Sequence, residues 1–358
     1  MSHGLPISLC MIAKNEEFFL DAALKSARSV LGLGEMVIVD TGSTDRTKSI
    51  ALENGALVFD FEWCDDFSAA RNFAADQAQN DWILVLDADE EVISADLREL
   101  EAFIKDEGFV GAVTRIELTN KSNNPESRLY NKNNYRYNGI IHEQITPLSD
   151  HLKTINLVPI HIIHHGYLPE FKKAKGKLDR NERLLIKELS ANPGDPYLLY
   201  QLGKCYVDGG RNLPQACECF EKALSGAPDL RLQYAYDLIE CYGYALINIG
   251  QYDKALRLME GYARFYGGKP QFRFLSAHIL QNNGMFIEAV EKYESCIGAD
   301  IVDYSGITSY LSYYNIGVVL ECVGMMEDAV EMYEKSGDYA PAVERLEKLN
   351  AECGMQNA

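Results

Sequence analysis

An α/β domain with a mostly parallel mixed sheet, followed by an all-α domain of repeated helix pairs, is the fold class this 358-residue chain predicts. Three observations carry it. Apolar strands alternate with helices as far as about Asp106, strand-like segments dominate from there to His165, and beyond Lys172 small and aromatic residues recur at a helical-repeat spacing. Strands separated by single helices pair in parallel through right-handed crossovers.

The elements follow in order. Ile7 to Ile12 reads as a first strand, Glu17 to Ser29 as a helix, Met36 to Asp40 as a second strand, and Thr47 to Glu53 as the start of another helix. Ala56 to Phe61 is a third strand and Phe67 to Gln79 a third helix. Trp82-Ile83-Leu84-Val85-Leu86 is then an unbroken apolar run, as expected of a strand covered on both faces. Gly111 to Leu118, Ser127 to Tyr130, Gly139 to Thr146 and Val158 to His164 complete the strand-rich stretch.

The helical half fits the tetratricopeptide template, in which a small residue at position 8, Gly at 15, a small residue at 20 and an aromatic one at 24 let two helices pack. Gly243, Gly250, Ala255 and Met259 hold these places in one copy; Ala277, Gly284, Ala289 and Tyr293 in the next; Gly317, Gly324, Ala329 and Tyr333 in the last. The first copy, with Gly203, Tyr206, Gly210, Ala216, Phe220 and Ala223, registers after one inserted residue. The predicted organisation is a domain over 1–170, a linker helix over 171–192 and about four repeats over 193–350. Stacked repeats present a concave surface suited to a peptide or protein.

Composition narrows the function. Acids outnumber bases 53 to 34, for a formal charge of −19, which argues against a general nucleic-acid or anionic-membrane surface. No apolar run approaches the roughly 18 residues of a membrane span, and Ile7 to Ala13 lacks a signal pattern, so a cytoplasmic protein is expected. The nine cysteines form no Cys-x-x-Cys and indicate neither a zinc site nor a disulfide framework.

The chemistry gathers at strand ends. Asp87-Ala88-Asp89 closes the Trp82 strand, and in open α/β sheets ligands collect beyond the carboxyl ends of the strands. Residues two apart in an extended chain point to one side, so Asp87 and Asp89 can approach a hard cation carried on a diphosphate; a solvated strand end is the alternative. Asp40 ends the second strand, where a carboxylate can accept from a base N–H or a ribose hydroxyl. Gly42 permits a tight turn, and Ser43, Thr44 or Asp45 can cap the next helix or meet a ligand.

The ordered set Lys14-Asn15-Glu16, Asp40-Thr41-Gly42-Ser43-Thr44-Asp45, Asp66-Phe67-Ser68-Ala69-Ala70-Arg71-Asn72 and Asp87-Ala88-Asp89 resembles family 2 glycosyltransferases of the GT-A fold. Members with C-terminal tetratricopeptide repeats, among them the sublancin-type bacteriocin S-glycosyltransferases, are the nearer match. The likeness extends through Tyr137-Asn138-Gly139-Ile140-Ile141-His142-Glu143 and Ile163-His164-His165-Gly166-Tyr167.

That resemblance implies roles. Asp40, Gly42, Ser43 and the Ala13 to Glu16 turn, including Asn15, hold the nucleotide. Arg71 lies near it, and Asp87, Ala88 and Asp89 meet the ribose and a Mg²⁺ or Mn²⁺ on the diphosphate. Asp89 is the first choice for metal contact, with Asp87 and His164 as further ligands, and His165 a bystander. His142 or Glu143 removes the acceptor proton. Arg128 meets the acceptor, a phosphate or a surface acid; Lys172, Lys173, Lys175 and Lys177 form a solvated helix face or tether the diphosphate.

The implied reaction is inverting transfer of a hexose, from UDP-glucose or UDP-N-acetylglucosamine, to a Ser, Thr or Cys side chain of a peptide presented by the repeats. A glycan or lipid-linked acceptor, with the repeats assembling a homodimer, and a non-catalytic repeat scaffold are the alternatives.

Overall fold

A computed structural model describes residues 5–117, 123–149, 154–165, 174–210, 212–299 and 306–356. His151, Gly166, Tyr167, Lys172 and Lys173, and the side chain of Lys175, lie outside the described residues. The chain divides into two compact units, residues 1–188 and 189–358.

In the first unit β1 (Ile7–Ala13), β2 (Glu35–Asp40), β3 (Leu57–Asp60) and β4 (Trp82–Val85) alternate with α1 (Leu20–Leu31), α2 (Thr47–Glu53) and α3 (Phe67–Gln77). Period-two alternation explains the apolar runs. Ile7, Leu9, Met11 and Ala13 pack with Leu20, Leu24 and Leu31 of α1. Cys10 points the other way, into a layer with Val37, Val39, Ile83 and Val85 and with Ala74, Ala75 and Ala78 on the α3 side. β1 therefore has no solvent face, and every side chain on it must be apolar or small.

The sheet continues through β5 (Glu90–Ala95), β6 (Phe109–Glu117), β7 (Asn123–Asn131) and β10 (Thr154–His164) in the order β3-β2-β1-β4-β7-β6-β10-β5. β4/β7, β6/β7 and β10/β5 are antiparallel; the other four neighbour pairs are parallel. The mixed, mostly parallel sheet is thus present. The short β5 and α4 (Leu97–Phe103) are additions, α4 starting where Asp96 accepts from the N–H of Arg98 and Glu99.

One expected strand is not continuous. Gly139 to Thr146 resolves into the turn and second strand of a separate hairpin, β8 (Tyr135–Asn138) with β9 (Gln144–Pro147). The reason is local: Gly139 at φ +98° and His142 at φ +51° cannot lie in an extended strand. The unit then continues into α5 (Ala174–Ala191).

The second unit is helical. Among the described residues four helix pairs, α6 (Pro196–Asp208) with α7 (Leu213–Ser225), α8 (Gln233–Asn248) with α9 (Tyr252–Tyr266), α10 (Pro270–Asn282) with α11 (Phe286–Glu294) and α12 (Tyr310–Cys322) with α13 (Met326–Lys335), precede α14 (Ala340–Gln356). The template residues occupy the crossings: Ala216, Ala255, Ala289 and Ala329 are fully buried, as are Phe220, Tyr293 and Tyr333. A Cβ on Gly203 would sit 2.3 Å from the Phe220 ring, so only glycine lets α6 approach α7 there. This is the all-α tetratricopeptide-type arrangement expected of the C-terminal half.

Candidate functional site

Parallel pairing places Ala13 opposite Asp40 and Cys10 opposite Val85, so the loops after β1, β2 and β4 share one edge. The first two loops interlock. The Thr41 N–H donates to the Ala13 carbonyl at 3.0 Å, the Asn15 N–H to Ser43 Oγ at 2.9 Å, the Thr44 N–H to Asn15 Oδ1 at 2.8 Å and the Glu16 N–H to Thr47 Oγ1 at 2.8 Å. Asn15 sits at φ +58°, a conformation Asn tolerates better than most residues.

Asp40 serves this turn with one oxygen. Its Oδ1 accepts from the N–H of Gly42 at 3.0 Å and of Ser43 at 2.9 Å, while Oδ2 is buried with no hydrogen-bond partner. The side chain is 1% exposed. A buried acceptor without a donor costs about 1–3 kcal/mol, so a ligand N–H or O–H arriving there is favoured.

After β4 the chain does not stay extended. The Glu90 N–H donates to the Asp87 carbonyl at 3.1 Å, closing a turn over residues 87–90, and the expectation that Asp87 and Asp89 share one side of a strand fails on that account. Asp87 Oδ1 accepts from Arg71 Nη2 at 2.9 Å and Oδ2 from Arg128 Nη2 at 3.1 Å. Burial opposes ionisation of Asp87, yet Arg128 and Arg71 together hold its carboxyl well below the usual range.

Asp89 faces elsewhere. Its Oδ2 lies 3.2 Å from His164 Nε2, at the end of β10, and its carbonyl accepts from the His165 N–H at 2.9 Å. Glu16 senses this acidic neighbourhood: burial, then the charges of Asp89 and Asp87, push its carboxyl up to about 7.

The third element is the β8–β9 turn. Glu143 Oε1 accepts from Arg71 Nε at 2.5 Å, and the Arg71 guanidinium lies 5.5 Å from the Tyr137 ring centroid. Arg71 is therefore a bridge from Glu143 to Asp87, 9% exposed and rigidly placed by α3. His142 flanks Glu143 in the left-handed conformation.

Of the roles open to it, Arg128 shows ion pairs with acids, but buried ones. It is 7% exposed and binds Glu90 Oε1 at 2.8 Å and Glu126 Oε2 at 2.8 Å as well as Asp87. Glu90, absent from the residues singled out in the sequence, is fully buried; its Oε2 accepts the Asp87 N–H at 2.9 Å, and burial pushes its carboxyl up to about 7 against the pull of Arg128. A glutamate following Asp-x-Asp looks like one more surface acid, so no sequence signal marked it.

The structure thus brings Ala13, Asn15, Glu16, Asp40, Gly42 and Ser43 to one loop pair, and Asp87, Arg71 and Glu143 into one ionic chain. Among the described residues no three His, Cys, Asp or Glu side chains form a metal-holding group. Asp89 with His164 is the pair whose chemistry suits a divalent ion, since Asp87 has both oxygens committed to guanidinium groups.

Residues 8–162 match the family model described as glycosyl transferase family 2, and residues 197–229 match a tetratricopeptide repeat. A TPR repeat-containing protein of Synechococcus elongatus is 34% identical over 240 residues, 64% of this chain and 59% of that protein. The SPbeta prophage-derived glycosyltransferase SunS of Bacillus subtilis is 27% identical over 208 residues, covering 55% of this chain and 48% of SunS. An uncharacterized glycosyltransferase of Rickettsia bellii is 38% identical over 86 residues, 24% of this chain and 28% of that one. The chain spans about half the length of the first two relatives. Among the described residues no helix is long and apolar enough to cross a membrane.

Proposed function

We propose that this chain, which joins a family 2 glycosyl transferase domain to tetratricopeptide-type repeats, is a metal-dependent inverting glycosyltransferase. It moves a hexose from a nucleotide sugar, UDP-glucose in the first instance, to a Ser, Thr or Cys side chain of a peptide or protein held by the repeats. The observation that carries the reading is the ionic chain Glu143–Arg71–Asp87, which ties the carboxylate of the β8–β9 turn to the strand end that bears Asp89.

Each residue then has a task. The unpartnered Asp40 Oδ2 accepts from the nucleobase, and the Ala13 to Glu16 turn and Ser43 border it. Asp89 and His164 hold Mn²⁺ or Mg²⁺; the ion, when bound, supplies a Lewis acid for the charge developing on the diphosphate. Its fit rests on the crowded acids: Glu16 is driven up to about 7 by burial and by Asp89 and Asp87, a repulsion that a cation relieves.

Glu143, oriented by Arg71, takes the proton from the acceptor hydroxyl or thiol. The acceptor oxygen or sulfur bonds to the anomeric carbon as the carbon–oxygen bond to the diphosphate breaks on the opposite face, and that electron pair leaves on the nucleoside diphosphate. His142 is the alternative base. The bond from Arg71 Nε to Glu143 Oε1 favours Glu143.

The test is a thermal-shift screen of the full chain with UDP-glucose and UDP-N-acetylglucosamine, with and without Mn²⁺, followed by transfer to a peptide. A donor at 100 times its Kd raises stability by about 2.7 kcal/mol. Asp89→Ala should abolish turnover with the fold intact. Wild-type turnover in that variant at saturating donor refutes the metal assignment, and absence of both binding and transfer with every nucleotide sugar refutes the function.

A further inference from the structure

The turn that carries His142 and Glu143 joins strands of only four residues each and contains a non-glycine residue at positive φ, which costs on the order of 1–3 kcal/mol and must be held from outside. Two helices grip it. From the start of α3, the Phe67 N–H donates to the Ile140 carbonyl at 2.9 Å and the Ser68 hydroxyl to the Gly139 carbonyl. From α5, Glu188 Oε2 accepts from the Ile140 N–H at 2.7 Å and from the Ile141 N–H at 3.4 Å.

α5 is itself fastened to the same neighbourhood. Arg183 pairs with Asp65 through both of its terminal nitrogens, Nη2 at 2.8 Å from Oδ1, and Asp65 also accepts from Trp63 Nε1 at 2.9 Å. One turn earlier on the helix, the Arg180 guanidinium lies 5.1 Å from the centre of the Phe67 ring. Arg180, Arg183 and Glu188 thus fix α5 against the α3 entry loop and the β8–β9 turn together, beyond the 8–162 stretch that carries the family match.

We propose that Glu188 is a positioning residue for glycosyl transfer, holding the β8–β9 turn so that Glu143 stays against Arg71. This rests on the glycosyl-transfer reading above. A carboxylate receiving two successive backbone N–H groups makes charge-assisted bonds that fix a turn more firmly than neutral ones, and misplacing a reacting group by about 1 Å costs on the order of 100-fold in rate.

The experiment compares the full chain with Glu188→Ala and Glu188→Gln, the latter keeping an acceptor oxygen. Transfer of glucose from UDP-glucose to a peptide, the UDP-glucose thermal shift and amide exchange over residues 139–143 are measured on each. The expected result is a fall of about 100-fold in kcat for Glu188→Ala, with the donor-induced shift unchanged, faster exchange at residues 140 and 141, and substantial recovery in Glu188→Gln. Wild-type kcat in Glu188→Ala overturns the proposal. So does a loss of donor binding and apo stability in step with kcat, which marks a structural role alone. If the wild type transfers no sugar, the glycosyl-transfer reading fails and the positioning role falls with it, whereas unchanged exchange in Glu188→Ala overturns the clamp even when the enzyme is active.

Discussion

Replacing Arg71 by methionine removes the group that joins Glu143 to Asp87 while keeping the apolar stem that α3 packs. Two ion pairs go, Nε to Glu143 at 2.5 Å and Nη2 to Asp87 at 2.9 Å, together with the guanidinium's place over the Tyr137 ring. They are not equal. Glu143 is 11% exposed and is left an anion without its guanidinium, whereas Asp87 is 37% exposed and keeps Arg128 at 3.1 Å. Breaking a buried pair by removing one partner costs about 3–5 kcal/mol; water access and Arg128 at Asp87 put this case near the lower end, about 3 kcal/mol. For a unit of this size that lowers Tm by on the order of 6–12 °C.

The pH dependence follows from Asp87. Its folded carboxyl lies below the unfolded value of about 3.9, so the stability it confers is present above that pH and is lost as pH falls through the folded value. The Asp87 share of the gap between wild type and Arg71→Met is therefore full at pH 7 and begins to narrow only below about pH 4. Calorimetric or circular-dichroism melts at pH 7, 5 and 3.5 measure it. A variant melting within 2 °C of wild type at pH 7, or a gap that widens from pH 5 to 3.5, refutes the reasoning; about 2 °C is less than 1 kcal/mol here.

Three further outcomes are expected. Asp40→Asn keeps an oxygen for the N–H groups of Gly42 and Ser43, so Tm should barely move while UDP-glucose affinity falls about 10-fold, read by thermal shift; unchanged affinity removes Asp40 from the donor site. Glu16 is raised in the folded state to about 7, so its contribution is present below its unfolded value and lost as pH rises through 7; Glu16→Gln should gain stability over wild type between pH 6 and 8, and identical melting curves across that range count against it. Gly203→Ala forces a methyl within 2.3 Å of a buried ring and should destabilise the helical unit by about 1–3 kcal/mol in urea, a change absent if Phe220 can swing aside.

How much was legible depends on whether a signal was local. β1, β2, α2 and α3 follow from apolar runs, and Asp66 accepting the Ala69 N–H sets the start of α3. The positions of Ala13 and Asp40 at one edge, with the end of β4 beside them, follow from parallel pairing alone. The division of labour within Asp87-Ala88-Asp89 did not, because it depends on Arg71 and Arg128, 16 and 41 residues away. Glu90 was invisible for the same reason, and Glu188 carried no motif because its partners are backbone N–H groups, which leave no trace in side-chain identity. The β8–β9 turn was misread because apolar Ile140 and Ile141 resemble a strand while Gly139 and His142 take positive φ.

The sequence by itself determined the alternation of strands and helices as far as β4, the two-part organisation and the repeat register, since each is written in short-range periodicity that burial enforces residue by residue. Tertiary structure alone decided which carboxylates are free to meet a ligand. Asp87 and Asp89 are chemically identical and two residues apart, yet one is gripped by two buried guanidinium groups and the other lies beside His164. Charge and hydrogen bonding act through space, and only the fold sets those distances.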